Sequence, residues 1–207
     1  MKLHYRIGKT IIWWIWHTLF GLKVEGRENL PTNGGVIIAP NHLSYCDPPL
    51  LGAAVGIREL YYFAKRDLFQ INKFISWLLR TYNAFEVKRE GVDRKAIRYA
   101  ENLLAKGLAL AFFPEGTRSK GDEFLPPQPG LGYLALRAHV PVVPVLIQGT
   151  NKSLLRLFLR RNELYIKIGK PINGNRLARE ISKKNSLELS QEVMRRIQEM
   201  KEAGLCK

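Results

Sequence analysis

The stretch GGVIIAPNHLSYCD, Gly34 to Asp47, joins a short apolar run to a histidine and, five positions later, an acid. Val36 to Ala39 is a continuous apolar segment bounded by glycine and proline, the pattern of a strand buried on both faces. An offset of five residues turns side chains about 140° apart in a helix and sends them to opposite faces in a strand. His42 and Asp47 therefore meet only if the backbone bends between them. Pro40 and the pair Pro48-Pro49 favour that bend. A bent loop at the end of a buried strand is a usual place for groups that do chemistry.

Outward from this segment, strand-like and helix-like stretches alternate. A helix is expected from about Pro48 to Val55, a strand over Leu60 to Ala64, a helix from about Asn72 to Arg80, and a strand over Ala84 to Val87. Asp93 is placed to cap a helix running to about Lys106, and Leu108 to Phe113 reads as another apolar strand. A helix from about Leu131 to Ala138 leads into the strand VPVVPVLI. The strand Leu164 to Ile168 precedes a last helix over about Ser186 to Glu202, with Asn185 and Glu188 as a capping box. The predicted fold is α/β, a mostly parallel central sheet flanked by helices, with functional loops at the strand carboxyl ends.

The amino-terminal segment KTIIWWIWHTLFGLK carries three of the chain's four tryptophans between flanking Lys and Arg residues. Its apolar run is about ten residues, half of what crossing a bilayer takes. Trp13, Trp14, Ile15 and Trp16 are consecutive, so they do not all fit one core-facing stripe. Tryptophan and basic side chains favour the headgroup level, which points to an interfacial helix over residues 1–21 and an α/β domain over 22–207. The 207 residues are 46% hydrophobic and 25% charged, which excludes a disordered chain and suits one domain. A net charge of +15 points to anionic partners. Two cysteines, far apart, give neither a disulfide framework nor a zinc knuckle, and the compartment is expected to be reducing.

FPEGTRS, Phe113 to Ser119, sets an acid, a glycine, a hydroxyl and a guanidinium just past a buried strand. Arg118 is able to grip a phosphate through two parallel hydrogen bonds while Gly116 lets backbone N–H groups approach an anion. Taken alone, the same residues also describe a surface turn with an Arg–Glu ion pair. His42, oriented by Asp47, is suited to taking a proton from a hydroxyl, and Cys46 next to His42 offers a rival covalent nucleophile. GLGYLA, Gly130 to Ala135, follows a Pro-rich loop rather than a strand and so fails as a dinucleotide fingerprint. One histidine with Asp47 and Glu115 is a weak metal set, and no metal or other cofactor is expected.

Read together, NHLSYCD and FPEGTRS resemble the first and third sequence blocks of the glycerolipid acyltransferases of the 1-acylglycerol-3-phosphate acyltransferase family. AKRDLF…NAFEVKRE is similar to the second block, with Lys65 and Arg89 in the expected places, and Val140 to Val145 to the fourth. Asn72, Asn83, Glu86 and Gln128 depart from the residues usual at their positions: proline, glycine, proline and often lysine.

The resemblance implies that His42 deprotonates a glycerol hydroxyl while Asp47 holds its ring. The oxygen then attacks a thioester of acyl-CoA or acyl carrier protein without an acyl-enzyme. Arg118, with Gly116, Thr117, Lys65 and Arg89, would bind the phosphate of lysophosphatidic acid, and Glu115 would orient Arg118 or a substrate hydroxyl. The product would be phosphatidic acid; another lysophospholipid or glycerol 3-phosphate is the alternative acceptor. The expected location is the cytoplasmic face of the cell membrane, peripheral or monotopic, on anionic lipid. Two other classes fit the charge: a lipid-binding protein without turnover, against which the His–Asp pair argues, and a nucleic-acid-binding protein, for which no module is present.

Overall fold

The computed structural model describes residues 2–88, 93–121, 123–159, 163–173 and 180–205. Seven strands form one sheet in the order β1-β7-β6-β2-β5-β3-β4. They are β1 (Lys23–Glu25), β2 (Val36–Pro40), β3 (Leu60–Lys65), β4 (Ala84–Val87), β5 (Ala109–Ala111), β6 (Val142–Gln148) and β7 (Tyr165–Ile168). The contiguous five from β6 to β4 are mutually parallel, and every residue of the central β2 is buried. Strands β7 and β1 run together in the opposite direction, β7 pairing antiparallel with β6 through Val145↔Ile168 and Gln148↔Tyr165. That reversal is not predicted from the sequence.

The helices are α1 (Leu3–Phe20), α2 (Asp47–Val55), α3 (Lys73–Thr81), α4 (Arg94–Ala105), α5 (Gly130–Ala138), α6 (Leu154–Leu159) and α7 (Lys183–Leu205). Alternate residues of β2 point to opposite faces and seed two cores. Val36 and Ile38 pack with Leu50, Leu51, Ala54 and Val55 of α2, Leu157 of α6, and the inner side of α1. Ile37 and Ala39 pack with Ala100, Leu103 and Leu104 of α4, with α5, and with Leu189, Val193 and Ile197 of α7. Asp93 caps α4 as expected, accepting from the N–H groups of Lys95 and Ala96. Helix α7 begins earlier than the expected capping box at Asn185. Ser182 Oγ accepts from Asn185 N at 3.1 Å, so Ser182 satisfies the donor and the helix gains its first turn.

The family departures in the second block have local explanations. Asn72 caps α3 by accepting from Ile75 N at 2.8 Å. Asn83 has φ 60°, a left-handed conformation that asparagine tolerates best after glycine. Glu86 pairs with Arg80 at 2.6 Å.

Helix α1 is apolar on two sides. Tyr5, Trp13, Trp16 and Phe20 face inward, with the Tyr5 hydroxyl accepting from Leu60 N at 3.0 Å. Leu3, Ile7, Ile11, Trp14, Ile15 and Leu19 are exposed at three- and four-residue spacing, an outward stripe along the helix. Among the described residues no helix is long and apolar enough to cross a membrane.

Candidate active site

Parallel strands bring their carboxyl ends to one edge of the sheet, and β2 lies between β6 and β5. The chain segments leaving these three strands therefore emerge side by side: Asn41-His42 from β2, Phe113 to Ser119 from β5, and Gly149-Thr150 from β6. Pro40 has no N–H to continue the ladder. Asn41 compensates with its fully buried side chain, which donates to Ile147 O at 2.9 Å and accepts from Ile147 N at 2.7 Å.

The bend expected between Pro40 and Pro48 is present, and it joins His42 to Asp47. His42 Nδ1 stands 2.8 Å from Asp47 Oδ2. The same oxygen accepts the N–H groups of Leu43 at 2.6 Å and Ser44 at 2.7 Å, so the loop is wound around the carboxylate. An oxygen receiving two N–H donors is an acceptor. Nδ1 is therefore the donor in this contact, and in the neutral ring the lone pair falls to Nε2. Asp47 opens α2, is 0% exposed, and takes a fourth donor, Thr150 Oγ1, on Oδ1 at 2.5 Å. Phe113 stacks on the His42 ring with centroids 4.1 Å apart. Cys46 is half-buried in the same loop, and among the described residues its thiol has no hydrogen bond to His42.

The two motifs are tied together by backbone and side chain. Ser119 N donates to His42 O at 2.9 Å. Glu115, 3% exposed, accepts from His42 N at 2.8 Å and from Leu125 N at 2.9 Å. Its carboxylate is thus committed to two backbone donors and holds the loops in register. Among the described residues Glu115 makes no bond to Arg118; each of its oxygens accepts one backbone N–H. Burial raises its pKa above the ordinary glutamate value, against the lowering effect of the N–H groups of Leu125 and His42.

Gly116, Thr117 and Arg118 are exposed beyond this anchored carboxylate, and Gly116 adopts φ 70°. The Arg118 guanidinium lies over the Tyr45 ring at 3.6 Å, which places it beside the loop that carries His42. Lys65 ends β3, which β5 separates from β2, and its ammonium pairs with Asp67. It does not join the His42 cluster. Arg89 lies outside the described residues. Thr150 and Tyr45 were not singled out from the sequence. The position of Thr150 just past a buried strand was the available signal, and its partner, over a hundred positions away, was not.

An imidazole held by a buried carboxylate lies at the carboxyl edge of a parallel sheet, with an exposed guanidinium over Tyr45 of the same loop, an arrangement that in an α/β enzyme is able to take a proton near an anion. A family model described as Acyltransferase matches residues 21–148. A Bacillus subtilis protein named 1-acyl-sn-glycerol-3-phosphate acyltransferase is 31% identical, over 87% of this chain and 88% of its own. A chloroplastic protein of that name from Brassica napus is 26% identical, over 84% of this chain and 52% of its own. A Saccharomyces cerevisiae protein of the same name is 31% identical, over 77% and 54% respectively. The chain spans about half the length of these last two relatives. The crystal structure of the 1-acyl-sn-glycerophosphate (LPA) acyltransferase PlsC from Thermotoga maritima superposes with a TM-score of 0.71 at 26% identity, covering 96% of this chain and 78% of that one. The chain belongs to the acyltransferase family.

Proposed function

We propose that this acyltransferase moves a fatty acyl group from an acyl thioester, acyl-CoA or acyl carrier protein, to the sn-2 hydroxyl of 1-acylglycerol 3-phosphate, giving phosphatidic acid. The observation that carries the reading is the 2.8 Å contact of His42 Nδ1 with a buried Asp47 oxygen, which leaves Nε2 as the ring's basic nitrogen. His42 Nε2 takes the proton of the glycerol hydroxyl as its oxygen attacks the thioester carbonyl. Asp47 stabilises the imidazolium that forms. The tetrahedral intermediate collapses with cleavage of the C–S bond, and the departing thiolate receives the proton from Nε2. No acyl-enzyme is formed. Arg118, with Gly116 and Thr117 in the same exposed turn, binds the acceptor phosphate; Lys65 and Arg89 are assigned to the same anion by their charge alone. The names of the relatives support this acceptor.

The substrate is a lipid whose phosphate lies at the bilayer surface. Residues 1–21 serve as the interface helix, with the outward stripe of α1 set into the headgroup layer of anionic lipid on the cytoplasmic face, and residues 22–207 carry the chemistry. The test is release of free thiol from acyl-CoA or acyl carrier protein with 1-acylglycerol 3-phosphate as acceptor, comparing wild type with His42→Ala. Loss of release with retained liposome binding is the expected result. Equal release by the two proteins would remove His42 from the reaction.

A further inference from the structure

We propose that Thr150 is a positioning residue of the acyl transfer, its hydroxyl fixing the rotation of the Asp47 carboxylate so that the other oxygen faces His42. The inference rests on the reading of His42 and Asp47 given above.

The two oxygens of Asp47 are not equivalent. Oδ2 receives three donors, His42 Nδ1, Leu43 N and Ser44 N. Oδ1 receives Thr150 Oγ1 alone among the described residues, at 2.5 Å. Both side chains are shut away from solvent, Asp47 at 0% and Thr150 at 7% exposure. A carboxylate turns readily about its last torsion, so three donors clustered on one oxygen leave its angle loosely held. A donor fixed on the opposite oxygen pins it. Without it, Oδ1 is a buried charged atom with no partner, and the group gains by turning to share its three remaining donors. That turn withdraws the acceptor from Nδ1 and frees the imidazole.

The backbone brings Thr150 to this place by two devices. Asn41 clamps the end of β2 to Ile147 through its paired side-chain bonds, fixing the loop that bears His42 against β6. One residue past the end of β6, Gly149 turns with φ 89°. A Cβ there would meet Glu163 O at 2.2 Å, so only glycine allows the close passage that carries Thr150 inward. A hydroxyl held so firmly on a buried carboxylate also adds stability, and the experiment has to separate the two contributions.

The variants Thr150→Val and Thr150→Ser are compared with wild type in steady-state thiol release, with His42→Ala alongside. The expected result is a fall in kcat of about ten- to hundred-fold for Thr150→Val, the acceptor KM staying within about three-fold, and recovery to within about three-fold of wild type for Thr150→Ser. The low-field proton resonance of the Nδ1–H bridge should be present in wild type and Thr150→Ser and absent in Thr150→Val. Should Thr150→Val fail to fold, Thr150→Ala against Thr150→Ser reads the same contrast. A folded hydroxyl-free variant with kcat within two-fold of wild type and an intact low-field resonance would overturn the proposal, as would failure of serine to rescue. If His42→Ala is as active as wild type, the base assignment itself is refuted, a result distinct from an inert Thr150.

Discussion

Replacing Asp47 with asparagine removes one charge and little else. The amide oxygen can occupy the place of Oδ2 and keep Leu43 N, Ser44 N and His42 Nδ1 as donors. The Thr150 hydroxyl can turn to accept from the new NH2 group, so all four contacts survive in neutral form. What is lost is the attraction between a carboxylate and the imidazolium that develops as the hydroxyl loses its proton. Two unit charges about 4 Å apart at an effective dielectric constant of about 20 attract by about 4 kcal/mol, which corresponds to roughly a thousand-fold in rate. Asp47→Asn should therefore lower kcat about a thousand-fold in the thiol-release assay, leave the acceptor KM nearly unchanged, and shift Tm by only a few degrees. A folded Asp47→Asn enzyme within ten-fold of wild-type kcat would refute electrostatic support of His42 and leave Asp47 as a loop-winding residue.

Arg118→Lys keeps the charge but forfeits the two-pronged grip, so the acceptor KM should rise about ten- to hundred-fold with kcat little changed, measured by varying 1-acylglycerol 3-phosphate at saturating donor. Glu115→Gln sets an NH2 group against a backbone N–H, and thermal unfolding should show a loss of about 2 kcal/mol, a Tm lower by about 4–8 °C. The raised folded-state pKa of Glu115 adds a sign: its contribution is fully present below the unfolded pKa, near 4.5, and is lost as pH rises through the folded value. The stability difference between wild type and Glu115→Gln, from denaturant titrations between about pH 4 and pH 7, should accordingly shrink with rising pH; growth instead would mean that the two backbone donors outweigh burial. Trp14→Glu on the outward side of α1 should weaken flotation with anionic liposomes about thirty-fold without lowering Tm, since Trp14 is 62% exposed and forgoes about 2 kcal/mol of apolar burial in the lipid.

The parallel part of the sheet was legible because its strands are short apolar runs between glycine, proline and amphipathic helices, and β4 falls on the residues expected, Ala84–Val87. The His42–Asp47 contact was legible from the prolines that force a bend around it. The reversal of β7 was not, since Tyr165 to Ile168 alternates half-buried and buried residues in a pattern that serves a strand running either way. Strand β1 is three residues long and α6 six, too short for periodicity to register. The backbone anchoring by Glu115 was not legible for a different reason. The order of residues in FPEGTRS fixes which groups are near, but the direction of one carboxylate depends on Leu125 N, ten positions on, and on His42 N, seventy-three positions back.

Among the described residues strand β1 pairs with β7 alone, where Lys23 lies opposite Tyr165. During synthesis that edge cannot close until the ribosome has delivered residue 165, while α1 emerges well before it with apolar side chains on both of its sides. For most of translation a nascent chain thus displays this helix before the core that will cover its inner side exists. For the interface helix proposed above, a nearby bilayer would be the surface on which to wait without aggregating.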